Sequence, residues 1–526
     1  MRRRRAVTAA LTAPFLLAAT APAPAPPAED PAAAAQALAA RLVARADARD
    51  AHRHLVAFQR IADANGGNRA AGTPGADAST AYVRDSLRRA GYRVTSVPFA
   101  FTYAETLAEK LRLTAPDAAP RDVGVKLMTY TVSTPEGGLT APLAALPARG
   151  DDTPGCEPSD YAAHAVKGKV ALVPRGACSF AEKQRAAAGA GAAAVLIANT
   201  EDGPLHGTLG DPSAAVIPAG GVTREDGEAL SAAAERAGKA GDTAGATVTL
   251  DLRERRERRT AHNVIAETRG GDPARTVMFG AHLDSVTEGP GINDNASGSA
   301  GLLEVALELA RAEQRPAHRV RFAWWGAEEF GLLGSTEYVG GLSAEERERI
   351  RLYLNFDMIA SPNHALFVYD GDDSDGLGAG PGPAGSAQLE HRITAFLDRR
   401  GLPHLGTDFT GRSDYGPFVE AGIPSGGTFT GAEEAKSEQA AALFGGEAGK
   451  PYDPCYHQAC DDLDNIARPA FEANIDVIAD AVGTYTHDLA SLTAPAPAPA
   501  AATSAPAPVP ATTGGGLRPG HAGVDR

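Results

Sequence analysis

The spacing of apolar and polar positions along the chain predicts an alternation of helices and strands. Residues 78–90 carry apolar side chains at helical spacing and precede Gly91, which predicts an amphipathic helix, and residues 92–100 predict a strand. This succession is the rhythm of an α/β domain. Later in the chain, buried strands are predicted at residues 277–281, 320–325 and 352–356, and a helix at residues 298–312.

Between about residues 140 and 250 the pattern changes to short strands broken by glycine and proline, which predicts a second module. Residues 26–50 are compatible with either a short pro-segment or a first helix, and the sequence does not decide between them. The Ala/Pro-rich stretch from residue 493 predicts a disordered tail. The predicted strands of the second module are residues 169–173, 193–198 and 216–220.

The start of the chain has the composition of an export signal. Four arginines at residues 2–5 precede a mostly apolar stretch at residues 6–19, and small residues with proline follow at residues 21–25. We therefore expect a signal peptide over residues 1–25 and a secreted, extracellular product. No other stretch of the sequence reaches the roughly 18 uninterrupted apolar residues of a membrane span, so we expect a soluble protein without a membrane partner.

The formal charge of −15 disfavours nucleic acid and anionic membranes as partners, and we expect a monomer. The four cysteines fall into two local groups, Cys156 with Cys178 and Cys455 with Cys460. Export makes disulfides chemically permissible, and the sequence alone allows three pairings. Closeness along the chain favours the two local bridges over the alternative of four buried free thiols.

Metal-type side chains follow the three predicted buried strands of the α/β domain. They are His282, the adjacent pair Glu328 and Glu329, and Asp357. In an open α/β sheet, side chains just past the carboxyl ends of the strands point into the crevice where ligands bind. Each residue alone has an ordinary explanation as a core or surface side chain, and only the combination predicts a site.

Two more candidate ligands lie outside these strand ends. Asp294 lies in a turn rich in glycine and asparagine, and His457 lies much later, beside a cysteine. Two imidazoles, two aspartates and a glutamate, without a thiolate, suit two divalent ions. A carboxylate shared between the ions would hold them about 3.5 to 4 Å apart. We expect two Zn²⁺ ions per chain, with Co²⁺ or Mn²⁺ as chemically acceptable substitutes.

Five motifs around these residues occur in one order and spacing. They are AHLDS at 281–285, GINDNASG at 291–298, GAEEFGLLGS at 326–335, NFDMI at 355–359 and CYHQACDDLDN at 455–465. Together with GNRAAGTPG at 67–75, they resemble peptidase family M28, specifically its small secreted bacterial aminopeptidases. The resemblance implies a three-layer α/β/α, mixed-sheet domain of the zinc exopeptidase (phosphorylase/hydrolase-like) type.

The resemblance also implies how the ligands divide between two metal ions. His282 and Asp357 would complete one metal site, Glu329 and His457 would complete the other, and Asp294 would bridge them. It further implies a cis peptide bond after the bridging aspartate.

Other residues take roles in catalysis by the same resemblance. Glu328 would be the general base, and the phenol of Tyr456 would stabilise the oxyanion. Asp284 would orient the imidazole of His282 from behind the metal ligands. Arg412, in the motif GRSDYGPF at 411–418, is a candidate contact to polar groups of the substrate.

Residues 168–199, with their strand, R-G-x-C-x-F turn and Ala-rich helix before a buried strand, resemble the protease-associated (PA) domain. The resemblance implies an inserted PA domain of short β-strands and helices that acts as a lid or recognition module. We expect the following division of the chain: signal peptide 1–25, N-terminal segment or pro-segment 26–51, catalytic domain 52–138 and 256–492, PA domain 139–255, and tail 493–526.

The resemblance implies a secreted metallo-aminopeptidase that removes a large apolar, Leu-like residue from the N-termini of peptides and proteins. A carboxypeptidase or dipeptidase using the same two metal ions is the main alternative, since only recognition of the substrate end differs. Glutaminyl cyclisation on a related one-zinc fold and a catalytically dead binding scaffold are weaker alternatives, because the full ligand set, the base and Tyr456 are all present.

Overall fold

The computed structural model describes residues 30–495, apart from 117, 147–153, 177, 201–202, 206, 211, 240–244, 314 and 377–379. The expected signal peptide at 1–25 and residues 496–526 of the expected tail lie outside the described residues. None of the helices in the described part of the chain is both long and apolar enough to cross a membrane.

The helices of the described residues begin and end as follows. In chain order they are α1 (Pro31–Val43), α2 (Ala48–Ala64), α3 (Pro74–Ala90), α4 (Phe180–Gly189), α5 (Arg224–Lys239), α6 (Gly298–Ala312), α7 (Leu333–Gly340), α8 (Ala344–Arg349), α9 (Ser386–Arg399), α10 (Gly416–Glu420), α11 (Glu438–Phe444) and α12 (Arg468–Tyr485). Shorter helical turns lie at Pro158–His164, Pro212–Ala214, Ile292–Ser297 and Ala490–Thr493. The helix predicted at 298–312 is α6, and Gly91 ends α3 in the left-handed conformation, as predicted.

The strands account for most of the remaining regular structure. In chain order they are β1 (Arg93–Ala115), β2 (Ala118–Val123), β3 (Lys126–Thr129), β4 (Leu139–Ala145), β5 (Val170–Pro174), β6 (Ala194–Ala198), β7 (Gly207–Thr208), β8 (Ala219–Val222), β9 (Thr247–Glu267), β10 (Asp272–His282), β11 (His318–Trp325), β12 (Ile350–Phe356), β13 (Phe367–Tyr369), β14 (Leu405–Thr407) and β15 (Ser425–Phe429). The three buried strands predicted after residue 262 are confirmed as β10, β11 and β12.

The catalytic half of the molecule is built on a mixed sheet in the order β14-β13-β15-β12-β10-β11-β9-β1. Its central strands β11, β10, β12 and β15 are parallel. Strand β9 runs antiparallel to both of its neighbours, whereas β13 is antiparallel to β15 and parallel to β14. Alternate side chains of β10 enter different cores, with Phe279 packed against the helices of one face and Met278 against those of the other. Both faces are covered, which confirms the three-layer α/β/α arrangement.

Strands β1 and β9 form a long antiparallel ribbon that leaves the catalytic sheet and continues into a second body. The pairing runs from Arg93↔Glu267 to Thr114↔Thr247, with one bulge between Thr106 and Ala108. The sequence predicted only residues 92–100 as a strand. The strand is longer because backbone pairing with β9 continues where the residues of β1 themselves carry little strand pattern.

The inserted module has its own sheet and its own cores. Strands β4, β5, β6 and β8 lie side by side, with Leu172 of β5 on one face and Val173 on the other. The core on the Leu172 face also includes Leu111 and Leu127. Both residues precede residue 139, which is the expected start of the PA domain. The strand predicted at 216–220 is β8, displaced towards the C-terminus because the residues before it form a turn and a bend.

The sequence left residues 26–50 as either a pro-segment or a first helix, and in the structure this part of the chain contains α1. Asp30 caps the helix by accepting a hydrogen bond from the Ala32 N–H, and a proline occupies its first turn. Leu38 and Leu42 are fully buried in the main core. An alanine of α1 packs so closely against α12 that a Cβ at Gly483 would lie 2.4 Å from the Cα of Ala39.

Candidate metal centre and active site

The carboxyl ends of β11, β10 and β12 bring the predicted ligands to one edge of the sheet. His282 is the last residue of β10, and Asp357 directly follows β12. Glu328 and Glu329 lie three and four residues beyond the end of β11. Since the three strands are parallel neighbours, these four side chains converge, as the sequence predicted.

Asp294 reaches this edge from the irregular turn Ile292–Ser297, which leads into α6. The peptide bond between Asp294 and Asn295 is cis, as the resemblance implied. The Asn295 side chain ties the turn to β12, since its Nδ2 donates a hydrogen bond to the carbonyl oxygen of Phe356 at 2.9 Å, and its Oδ1 accepts from the N–H groups of Gly298 and Met358. Glycine is required at 298, where a Cβ would lie 2.1 Å from a backbone oxygen of β12.

The two carboxylate oxygens of Asp294 face two different histidines. Oδ1 lies 3.2 Å from Nε2 of His282, and Oδ2 lies 3.2 Å from Nε2 of His457. Nε2 of His282 also lies 3.2 Å from Oδ1 of Asp357, and Nε2 of His457 lies 3.1 Å from Oε2 of Glu329. The five side chains therefore form two groups that share Asp294.

Glu328 and Glu329 are adjacent in sequence but belong to different groups. Oε2 of Glu328 lies 3.9 Å from Nε2 of His282, in the group that contains Asp357. Oε2 of Glu329 faces His457 in the other group. Successive side chains of an extended segment point in opposite directions, which accounts for this division.

Burial and mutual repulsion perturb the ionisation of these carboxylates. Burial, reinforced by the negative charge of Asp294, raises the pKa of Glu329 to about 7. Burial also raises the pKa of Glu328 well above its usual value, against the opposing effect of His282. Burial opposes protonation of His457, but its hydrogen bonds to Asp294 and Glu329 raise its pKa to about 11. The protein alone therefore concentrates more negative charge here than its own cations balance.

A metal fits this surplus of acceptors. The donor set consists of imidazole nitrogens and carboxylate oxygens, which bind zinc, and it contains no thiolate. Oε1 of Glu329 is buried without a hydrogen-bond partner, as expected of an atom whose partner is an ion. His282, Glu328 and Asp357 each place one donor atom within 4.8 Å of the others, and so do His282, Asp294 and Glu329. His282 belongs to both sets, and Asp294 extends the cluster to His457.

One side of the centre is formed by a loop closed by a disulfide. Cys455 and Cys460 are bridged, and Tyr456 and His457 lie between them, with their rings stacked at a centroid distance of 3.8 Å. Burial raises the pKa of the Tyr456 phenol well above its usual value, so it keeps its proton. Nη2 of Arg412 lies 3.3 Å from the phenol oxygen. The loop thus presents a hydrogen-bond donor beside the metal-type ligands.

Arg412 is held at this position by two glutamates. It forms ion pairs with Glu433 at 2.8 Å and with Glu434 at 3.0 Å. The three side chains are about half exposed, so they line the mouth of the site and not its floor. The second predicted disulfide, Cys156–Cys178, lies in the inserted module, which confirms both local pairings.

Asp284 contacts His282 mainly through its backbone. Nδ1 of His282 lies 3.2 Å from the Asp284 carbonyl oxygen and 3.8 Å from its carboxylate. Oδ1 of Asp284 instead accepts a hydrogen bond from the Glu328 N–H at 3.2 Å. The carboxylate therefore also fixes the backbone that carries Glu328.

Four further residues around the centre lie within the quoted motifs, but the sequence assigned no role to any of them. Ser413 donates a hydrogen bond to Oδ2 of Asp357 at 2.5 Å, and Asp414 is fully buried beside it. Arg69 is fully buried next to the loops that carry His282 and Asp294. Asp461 is buried, and its carboxyl group accepts a hydrogen bond from the Asp294 N–H. Only burial in the folded chain distinguishes these residues from ordinary polar side chains.

A sheet whose parallel strands end in imidazoles and carboxylates around a shared aspartate is typical of metal-dependent hydrolases. Comparison with known sequence families gives a narrower result. The sequence model of Peptidase family M28 matches residues 263–482, and the sequence model of the PA domain matches residues 139–230. The chain belongs to peptidase family M28 and carries a PA domain ahead of most of the residues of the metal centre.

Individual relatives agree with this assignment. The chain is 47% identical over 440 residues to a probable lipoprotein aminopeptidase, LpqL, of Mycobacterium tuberculosis, covering 83% of this chain and 84% of that protein. It is 48% identical over 335 residues to leucine aminopeptidase 2 of Trichophyton rubrum, covering 64% of this chain and 65% of that protein. Among solved structures, it resembles BSAP, a zinc aminopeptidase from Bacillus subtilis, with a TM-score of 0.57 and 28% identity, covering 82% of this chain and 94% of that one.

Proposed function

We propose that this protein is a secreted aminopeptidase that removes a large apolar, Leu-like residue from the N-termini of peptides and proteins with the help of two zinc ions. The division of Asp294 between the two ligand groups is the observation that carries the proposal, because one carboxylate facing two imidazoles suits a pair of metal ions. The named aminopeptidase relatives support the reaction class, and the leucine aminopeptidase among them supports the side-chain preference.

The proposed ligand sets follow the two groups. His282 and Asp357 would hold one zinc ion, Glu329 and His457 would hold the other, and Asp294 would touch both. Zinc supplies Lewis acidity, which lowers the pKa of water and polarises a carbonyl group. The ligand chemistry also accepts cobalt or manganese.

The remaining roles belong to the chain's own side chains. Glu328, buried in the His282 group but without a close histidine contact, accepts a proton from the attacking water and returns it to the leaving amine. Tyr456 donates a hydrogen bond to the oxygen that gains negative charge when the peptide carbonyl is attacked. Arg412 holds this phenol and contacts polar groups of the substrate.

Recognition of a free N-terminus follows from the charge of the site. Two zinc ions would offset the four carboxylates of the centre itself, so the charge that distinguishes an ammonium end from a carboxylate end lies at the mouth of the site. The exposed glutamates Glu433 and Glu434 add negative charge at the mouth. This favours an aminopeptidase over a carboxypeptidase that uses the same ligands.

Several accompanying features are also proposals. The leader-like start of the chain and the two disulfides support secretion, since disulfides persist in oxidising compartments. We propose a monomer that acts on peptide N-termini. We also propose a catalytic domain at 52–138 and 256–492 with an inserted PA domain at 139–255. The packing of Leu111 and Leu127 favours an inserted module that begins before residue 139.

The test compares three substrates with the purified enzyme. Leu-p-nitroanilide should be cleaved, N-acetyl-Leu-p-nitroanilide should not, and a peptide that reports release of its C-terminal residue should show no early signal. Removal of metal with a chelator should abolish cleavage, and zinc should restore it. Equal cleavage of the blocked and the free substrate would refute the aminopeptidase proposal, and early C-terminal release would establish the carboxypeptidase alternative.

A further inference from the structure

Arg69 is a buried cation in the loop between α2 and α3, within the motif GNRAAGTPG. Its side chain is fully buried. Burial lowers its pKa to about 10, against the opposing charges of Asp284 and Asp461, so the guanidinium remains protonated at neutral pH. A buried guanidinium must have its donors satisfied, and the groups that satisfy them identify what it holds in place.

All the acceptors of the guanidinium are backbone carbonyl oxygens of two loops at the metal centre. Nε donates to the carbonyl of Pro290 at 2.9 Å, and Nη2 donates to that of Gly291 at 2.6 Å. Nη1 donates to the carbonyl of Leu283, the residue after His282. Arg69 therefore joins the loop that follows one ligand to the segment that precedes Asp294.

Asp461 contacts the same segment from the other side with its carboxyl group. Its Oδ1 accepts the N–H of Asn293 at 2.7 Å, and its Oδ2 accepts the N–H of Asp294 at 2.9 Å. Oδ1 also accepts from Nδ2 of Asn465 at 3.0 Å. Asp461 follows Cys460, so it also links the bridging aspartate to the disulfide loop that presents His457.

We infer that Arg69 and Asp461 are positioning residues that clamp segment 290–294 and thereby set how tightly both metal ions are bound. The guanidinium holds carbonyl groups at the start of the segment and the carboxyl group holds amide groups at its end, so the backbone that leads to Asp294 is fixed at both ends. Neither side chain belongs to the proposed ligands. The inference rests on the proposed function, because it assumes that Asp294 binds both ions.

The physical need for such a clamp lies in the charge of the centre. Without metal, Asp294 and Glu329 each place a buried carboxylate oxygen within 4.8 Å of the other, so two groups of like charge face each other. A turn free to move would relieve this repulsion by withdrawing the aspartate, and metal binding would then have to order it again. Hydrogen bonds from outside the ligand set keep the aspartate in place and remove that cost.

The decisive variant is Asp461→Asn, which keeps the size of the side chain. The amide has one acceptor oxygen in place of two, so its NH₂ group must face an N–H group of the segment, either that of Asp294 or that of Asn293. Apparent zinc affinity, measured on metal-free protein by competition with a chromogenic chelator, should fall about 10-fold to 100-fold, the usual effect of losing a partner of a ligand. Both ions should be weakened, because Asp294 is shared.

Arg69→Lys is the companion variant. A lysine keeps the charge but cannot direct a planar fork of donors to three carbonyl groups, so zinc affinity should fall in the same range. If this variant does not fold, Asp461→Asn alone carries the test.

A matched control exists outside the centre. Asp480 is a buried aspartate that accepts three hydrogen bonds from Arg392, which joins α9 to α12. Asp480→Asn and Arg392→Lys should lower thermal stability and leave zinc affinity unchanged. This control separates the loss of a buried ion pair as such from an effect on the metal centre.

Three outcomes would be informative. Asp461→Asn protein that binds two zinc ions as tightly as wild type would overturn the clamp. Weakening of one ion only would also overturn it, since an effect through Asp294 must reach both. Wild-type protein that binds no zinc would refute the proposed metal centre itself, and so the two failures are distinguishable.

Discussion

Glu328 and Glu329 are adjacent residues of the same type, but they have different environments in the candidate metal centre. Glu328 lies 3.9 Å from the imidazole of His282, whereas Glu329 lies 3.1 Å from that of His457. The shorter distance and the orphaned second oxygen of Glu329 suit a metal ligand, and the longer one leaves room for a water molecule beside Glu328. The two side chains should therefore respond differently to the same substitution.

Glu328→Gln removes a proton acceptor and leaves the proposed ligands intact. The variant should keep two zinc ions per chain, and kcat should fall by about 10²-fold to 10⁴-fold, the usual contribution of general acid–base catalysis. Glu329→Gln removes a ligand instead, so occupancy should fall towards one ion per chain, and added zinc should partly restore activity. Metal content and kcat are measured on both proteins. Loss of an ion from Glu328→Gln, or two tightly held ions in an inactive Glu329→Gln, would show that the roles are exchanged.

Single residues differ in how far the sequence reveals them. His282 and Asp357 are visible because an apolar strand ends directly before each of them. Arg69 and Asp461 cannot be recognised from the sequence in this way, because their hydrogen-bond partners are backbone groups more than 160 residues away in the chain. A buried arginine and a surface arginine have the same sequence signature, and only the folded structure shows which one is buried.

At the scale of elements, the loop of residues 455–460 determines the geometry of the substrate side. It holds Tyr456 and His457, and the backbone of His457 adopts a left-handed conformation with φ of 56°. Such a conformation is unfavourable for a residue with a Cβ and must be imposed by its surroundings. The disulfide between Cys455 and Cys460 closes the loop into a small ring that restricts its alternatives.

Replacing both Cys455 and Cys460 with serine should loosen this loop. The chain-entropy model assigns roughly 2 kcal/mol to closing a ring of this size, so zinc retention on the His457 side should weaken by about tenfold and activity should fall with it. The matched control is the double serine variant of Cys156 and Cys178, whose bridge lies in the inserted module and should not affect zinc retention. Intact mass after alkylation checks the premise, because free thiols at 455 and 460 in the secreted protein would contradict it.

The length of elements is less predictable than their existence. The strands at residues 277–281 and 352–356 were visible as apolar runs because both of their faces are buried. β1 was recognised only to residue 100 although it reaches Ala115, since its later residues alternate weakly and are held by their partner strand. Pairing with a distant segment is a tertiary effect that local sequence does not contain.

At the scale of the whole molecule, α1 is part of the main core although it lies far from the metal centre in the chain. Leu38 and Leu42 pack with α12 and α6, and their side chains are fully buried. The helix therefore contributes to the stability of the catalytic half and does not cover the site. This packing argues against a removable segment that acts only as an inhibitor.

Leu38→Ala should lower the free energy of unfolding by about 2 to 5 kcal/mol, the range for emptying such a position in a core. The kcat of the folded protein should not change, because α1 carries none of the proposed metal-binding or catalytic residues. Arg41→Ala on the exposed face of α1 is the control, with an expected effect within about 0.5 kcal/mol. Thermal unfolding and steady-state kinetics check both, and an unchanged melting temperature for Leu38→Ala would show that the helix is not integral to the core.

The ribbon of β1 and β9 has a mechanical consequence. Two strands paired over more than twenty residues resist bending far more than a single linker does, so the inserted module is attached as a stiff arm. Backbone pairing is interrupted only at the bulge between Thr106 and Ala108, where Leu107 is exposed. Bulges are the places where paired strands bend. A displacement of the inserted module is therefore transmitted towards the catalytic sheet through this ribbon, and bending of the ribbon concentrates at the bulge.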